Sequence, residues 1–186
     1  FTKFGVKVIS LGFFIEEARP MIWRGPMLHS TLEKMICDVN WGELDVLLVD
    51  LPPGTGDVPL SLSQMLEVDA ALVVTTPQEV AMLDAIKAIN AFDHFNIPLM
   101  GVIENMSGFT LPGTEETVHI FGEGKGSELA GRFNTELLGQ IPLDPSIRLG
   151  GDEGLPVAFH GGGSLAGKSF LDLGSRILEE LGLLRR

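Results

Sequence analysis

Short, mostly apolar runs recur along this chain, and they constrain its fold more than any other feature. They occupy residues 6–14, 44–49, 70–75, 99–103 and 137–141. Strands of antiparallel sheets with one wet face alternate apolar and polar residues, whereas parallel strands covered on both faces read as continuous apolar stretches. Between the runs the spacing turns helical. Residues 26–39 place Met27, Leu28, Leu32, Met35 and Ile36 on one stripe, with Pro26 in the first turn. Residues 80–95 do the same with Met82, Ala85, Ile86, Ile89 and Phe92. Shorter helices are expected at 59–66 and 126–133 and a long one at 165–181, while 110–126 has neither period and reads as a loop. The expected fold is α/β: one domain over residues 1–186, with a mostly parallel sheet and helices on both faces.

Composition agrees and narrows the partners. Hydrophobic residues make up 45% of the 186 and charged residues 20%, which suits a buried sheet and excludes a disordered chain. The net charge is −12, with basic residues scattered singly. Duplex binding needs clustered Lys and Arg, so neither nucleic acid nor an anionic membrane is an expected partner. No apolar run approaches the ~20 residues of a membrane span. Cys37 is the single cysteine, which points to a reducing compartment: the cytoplasm, or an organelle matrix. The chain starts at Phe1 within an apparent approach to a strand, so an N-terminal part is expected to precede it.

In open sheets of this kind ligands bind beyond the carboxyl ends of the strands. That rule selects residues 50–57, 76–79, 104–107 and 142–148. The first segment reads Asp-Leu-Pro-Pro-Gly-Thr-Gly-Asp. A carboxylate at a strand tip suits Mg²⁺, which takes one or two carboxylates together with phosphate oxygens. Gly54 and Gly56 leave their backbone N–H groups open to a phosphate, and Pro52 and Pro53 stiffen the turn. Asp50 is the metal candidate, direct or through water. A strand-ending cap is the plainer role for an isolated Asp, but not for this whole string. Asp57 serves equally well as a helix cap.

Four stretches, LLVDLPPGTGD (47–57), IWRGPM (22–27), TTPQEVAMLDA (75–85) and GVIENMSGF (101–109), together resemble the Mrp/ApbC family of P-loop ATPases. These are relatives of MinD in the deviant Walker A class that bind and transfer iron–sulfur clusters. The resemblance runs from GVKVISLGFF to LGQIPLDPSIR. It implies an ATP-binding carrier that hydrolyses ATP slowly and delivers [4Fe–4S] clusters to apoproteins. It further implies a homodimer, Mg²⁺, and dealings with apo iron–sulfur proteins and cluster scaffold proteins. By position, Asp50 becomes the switch aspartate, with Gly54 and Gly56 near the γ-phosphate. Asn105 becomes the adenine contact, its amide able to donate and accept, and Pro142 to Asp144 flank the base. Arg24 falls near the nucleotide or the dimer interface, or is a plain surface arginine.

Two departures stand out. The Gly-rich Lys loop of the family is absent. The Gly162-to-Ser169 string has P-loop spacing, but it enters the last helix instead of following the first strand, so it is expected to be a decoy with Lys168 on the surface. The family's Cys-x-x-Cys after ENMSGF is also missing: Thr110 leads to Leu-Pro-Gly-Thr. Either the ligands are lost or loop residues are absent from the sequence, and the second is the expectation. Cys37 is expected to be a buried, inert thiol, and His119 and His160 to be structural or surface residues. Two rival readings remain. One is a MinD/ParA-type positioning ATPase, for which the 176–186 tail would have to bind membrane. The other is a nucleotide-binding relic that does not hydrolyse.

Overall fold

Backbone groups need partners, and that requirement separates the aliphatic runs that become strands from those that do not. The computed structural model describes residues 1–13, 25–52 and 57–184, in two compact units, 1–68 and 69–186.

In the first unit β1 (Thr2–Lys3) pairs antiparallel with β2 (Val6–Lys7) around Phe4 and Gly5, both at positive φ (54° and 79°). Two left-handed residues in a row are what a tight primed hairpin turn requires. The strand expected over 6–14 is thus cut short. Its ladder partner is only two residues long, and Leu11–Phe13 coil into a 3-10 turn instead. Helix α1 (Gly25–Glu33) runs on as a π-helical turn over Lys34–Asp38, and α2 (Asp57–Met65) packs against α1. Val58, Ser61 and Leu62 are buried there, with Ser61 Oγ 3.0 Å from His29 Nδ1.

The expected buried strand at 44–49 does not form. No strand among the described residues pairs with the segment, and Leu48 remains 80% exposed. Aliphatic residues without a ladder partner have nothing to bury them in sheet form.

The second unit carries the sheet. Its elements in order are β3 (Ala71–Thr75), α3 (Glu79–His94), β4 (Leu99–Asn105), β5 (Phe109–Thr110), β6 (Thr117–Val118), α4 (Lys125–Arg132), β7 (Glu136–Ile141), α5 (Pro145–Glu153) and α6 (Leu165–Glu180). Strands β3, β4 and β7 are hydrogen-bonded in that order, all parallel. The sequence places these three strands, α3 and α6 to within a few residues. It misses α5 and the small β5–β6 hairpin.

Alternation along β4 sends Val102 and Glu104 to one face, and Ile103 and Asn105 to the other. The first face is covered by α4, where Gly126 stacks on Glu104 and Leu129 is fully buried. On the second, Ile103, Leu138 and Ile141 close around Leu173 of α6, flanked by Ile147 and Ile177. Each fully buried aliphatic side chain contributes roughly 1.5–3 kcal/mol. Arg176 of α6 reaches the edge strand β7, donating to the carbonyls of Leu137 and Leu138 at 3.1 and 3.2 Å and pairing with Glu136.

Candidate nucleotide site

The carboxyl ends of β4 and β7 lie side by side, and their pairing continues past the strands. Asn105 is in register with Ile141. Ser107 then donates to the Ile141 carbonyl from both its N–H (3.1 Å) and its hydroxyl (3.2 Å), and the Leu143 N–H reaches Gly108 O at 2.8 Å. Segments 105–108 and 141–144 are therefore held as one ledge. This brings together three of the expected site residues: Asn105, Pro142 and Asp144, each half-buried.

Their side chains differ in availability. Asn105 Oδ1 accepts the N–H of Met106 at 3.0 Å, and Met106 takes a left-handed φ of 57°. The amide carbonyl is thus engaged with its own backbone. The amide nitrogen has no hydrogen-bond partner among the described residues and remains as a donor. Asp144 accepts from the Ser146 N–H at 2.8 Å and caps α5, with Pro145 in the first turn. One of its oxygens therefore serves the helix. Just beyond it, Ser146 Oγ is buried with no partner among the described residues. Buried hydroxyls are rarely left this way, and an enclosed water is one means of satisfying them. A free amide donor at the rim of this ledge fits a nucleobase, whose ring nitrogens need such a partner, whereas the Ser146 hydroxyl is closed off from solvent.

Glu104, inside the ENMS string but given no role by sequence, is the fully buried carboxylate beneath this ledge. Its Oε2 accepts the Gly126 N–H at 2.6 Å and its Oε1 accepts from Gln140 Nε2 at 2.7 Å. The available signal was a charged residue in an otherwise aliphatic strand, which has to be paired when buried.

Asp50 belongs to the first unit, at the end of the exposed, unpaired 44–50 segment, so it does not terminate a buried strand. Gly54, Gly56 and Arg24 fall outside the described residues, and Asp57 opens α2. The P-loop-like string follows a 3-10 turn (Val157–His160). Ser164 caps α6 through Gly167 N at 3.0 Å, Ser169 donates back to Leu165 O, and Lys168 is exposed, all as a helix start.

Residues 109–118 form a closed hairpin, with Phe109 opposite Val118 and Leu111 N–H donating to Glu116 O at 2.9 Å. It contains no cysteine. Cys37 is exposed, not buried as expected. It lies in the π-helical turn, none of whose residues is buried. His119 spans Ser107 O (2.9 Å) and Glu123 (3.3 Å), a structural role. Among the described residues no three His, Cys, Asp or Glu side chains gather as a metal site, and no helix is long and apolar enough to cross a membrane.

A ParA family profile described as NUBPL iron-transfer P-loop NTPase matches residues 1–178. The chain belongs to this family. Among its relatives is an Arabidopsis thaliana protein named iron-sulfur protein required for NADH dehydrogenase, mitochondrial. It is 44% identical over 98% of this chain and 58% of its own length. An iron-sulfur cluster carrier protein of Aquifex aeolicus is 43% identical over 96% of this chain and 49% of its own. The chain thus spans about half the length of the curated relatives it matches. A solved nucleotide-binding protein from Archaeoglobus fulgidus, in complex with ADP, superposes with a TM-score of 0.63 at 39% identity, covering 69% of this chain and 53% of that one. The α/β P-loop NTPase fold follows from the family and this likeness together.

Proposed function

We propose that the chain is the nucleotide-binding part of an ATP-hydrolysing iron–sulfur cluster carrier. The observation that carries the reading is the ledge at the ends of β4 and β7, where the Asn105 amide nitrogen is left as a donor among the described residues. A relative at 39% identity holds ADP, and relatives at 43–44% bear iron–sulfur names. In this reading Asn105 donates to N1 of adenine. Pro142 and the backbone up to Asp144 form the opposite wall. Asp50 holds Mg²⁺, directly or through water, and Gly54 and Gly56 present N–H groups to the γ-phosphate. Hydrolysis is then a matter of positioning and charge neutralisation.

The cluster is cargo, passed to apoproteins by a homodimer. A [4Fe–4S] cluster takes about four thiolates. These residues bring one per copy, so two copies supply Cys37 twice and no more. The Cys37 position and the hairpin therefore do not fit a complete cluster site, and the ligands are assigned to chain outside these residues or to a partner.

The test is a calorimetric titration of the full-length protein with Mg-ADP. Asn105→Ala is expected to weaken binding by about tenfold, the equivalent of one hydrogen bond to the ligand. An unchanged affinity would remove Asn105 from the site.

A further inference from the structure

Among the described residues Glu104 is the only charged side chain with no solvent exposure, and it is held from three directions. Its backbone lies in register between Thr75 of β3 and Gln140 of β7. Its side chain accepts from Gly126, the second residue of α4, and from Gln140 Nε2. The fit to α4 is tight: a Cβ on Gly126 would lie 2.8 Å from Glu104 Cβ and 3.0 Å from Leu137 Cδ1. The helix start also offers the positive end of its dipole.

An aliphatic residue would suffice to pack a helix on a strand. A carboxylate with both oxygens accepting does more, because hydrogen bonds fix direction as well as distance. The β3–β4 ladder ends at Thr75 and Glu104, so Glu104 is the last residue of β4 held from both sides. Asn105 follows at once and points to the opposite face.

We propose that Glu104 is a positioning residue for base recognition: its buried carboxylate sets where β4 ends and thereby aims the Asn105 amide at the nucleobase. This rests on the nucleotide-site reading above. A merely structural Glu104 would affect stability; a positioning Glu104 also affects discrimination between bases. Adenine presents an acceptor at N1, whereas hypoxanthine carries a hydrogen there and opposes a donor amide.

The experiment measures Mg-ADP and Mg-IDP affinities of the full-length protein and three variants. Asn105→Ala is expected to abolish the preference for ADP. Glu104→Gln turns an amide NH₂ toward one of the two donors. It is expected to weaken ADP binding and to narrow the ADP/IDP ratio, because the Asn105 amide is no longer held in line. In Glu104→Gln/Gln140→Glu the new amide accepts from Gly126 and donates to the new carboxylate, so all three groups are satisfied again. This swap is expected to restore the wild-type ratio. A wild-type ratio in the single variant, beside a collapsed ratio in Asn105→Ala, overturns the positioning role but leaves the nucleotide site standing. An unchanged ratio in Asn105→Ala overturns the site itself. Where the single variant does not fold, the swap decides: a folded swap with a collapsed ratio also overturns the proposal.

Discussion

At the scale of single residues, the site divides into side chains free for a ligand and side chains held by their own backbone. Asp144 is of the second kind. Sequence places it beside the base, and the structure turns one of its oxygens to the first turn of α5. Asp144→Ala is therefore expected to destabilise the protein by about 1 kcal/mol, the usual worth of a helix cap. Asp144→Asn, which still accepts, should stay within a few tenths of wild type in a denaturant titration. An equal loss in both variants would mean that the charge matters more than the cap. Asn105 was singled out by the resemblance through ENMS; alone, an Asn after a strand reads as a turn residue, and its Oδ1 does hold the Met106 N–H. Glu104 was not singled out, because its partners lie 22 and 36 residues away and no local pattern announces a contact of that range.

At the scale of elements, the chain was readable where one segment carries its own evidence. β3, β4 and β7 are aliphatic runs that find each other, and α3 and α6 are long enough for a stripe to show. Helix α5 was hidden by Gly150 and Gly151, which are poor helix formers. Gly150 is required there, since a Cβ would meet Leu155 O at 2.5 Å. The 44–50 run misled for the opposite reason: its composition is that of a strand, but strand formation depends on a neighbour. The β7–α6 contact offers a measurable consequence. Leu173 is 91% buried by complement of its 9% exposure and packs on Ile103, Leu138 and Ile141. Leu173→Ala is expected to cost about 2–5 kcal/mol, read as a lower urea midpoint with unchanged slope. A second contact joins α3 to α4: Lys125 bonds Glu128 at 2.8 Å and Glu79 at 2.7 Å. The bond to Glu128, then that to Glu79, holds its ammonium above the ordinary lysine range. A raised folded value means that the contribution is complete below the ordinary lysine value and is lost only as pH climbs through the alkaline range. The melting difference between wild type and Lys125→Met should therefore stay constant from neutral pH to about pH 9 and shrink with added salt, because the pair is solvent-facing.

At the scale of the whole molecule, thiol count governs what the chain can carry by itself. With one exposed Cys37 per copy and a closed, cysteine-free hairpin at 109–118, a symmetric pair of copies offers two thiolates where a [4Fe–4S] cluster takes about four. Two thiolates on π-helical turns, with no His, Cys, Asp or Glu cluster beside them among the described residues, make no cluster cage. Cluster loading of the full-length protein should therefore be indifferent to this residue. After anaerobic reconstitution with iron and sulfide, Cys37→Ser is expected to match wild type in iron content, sulfide content and thiolate-to-iron absorbance. A loss of half or more of the bound iron in that variant would place Cys37 among the ligands. The cargo site would then lie in the first unit, and the division of labour argued above, with the β4–β7 ledge for nucleotide and cluster ligands from elsewhere, would have to be redrawn.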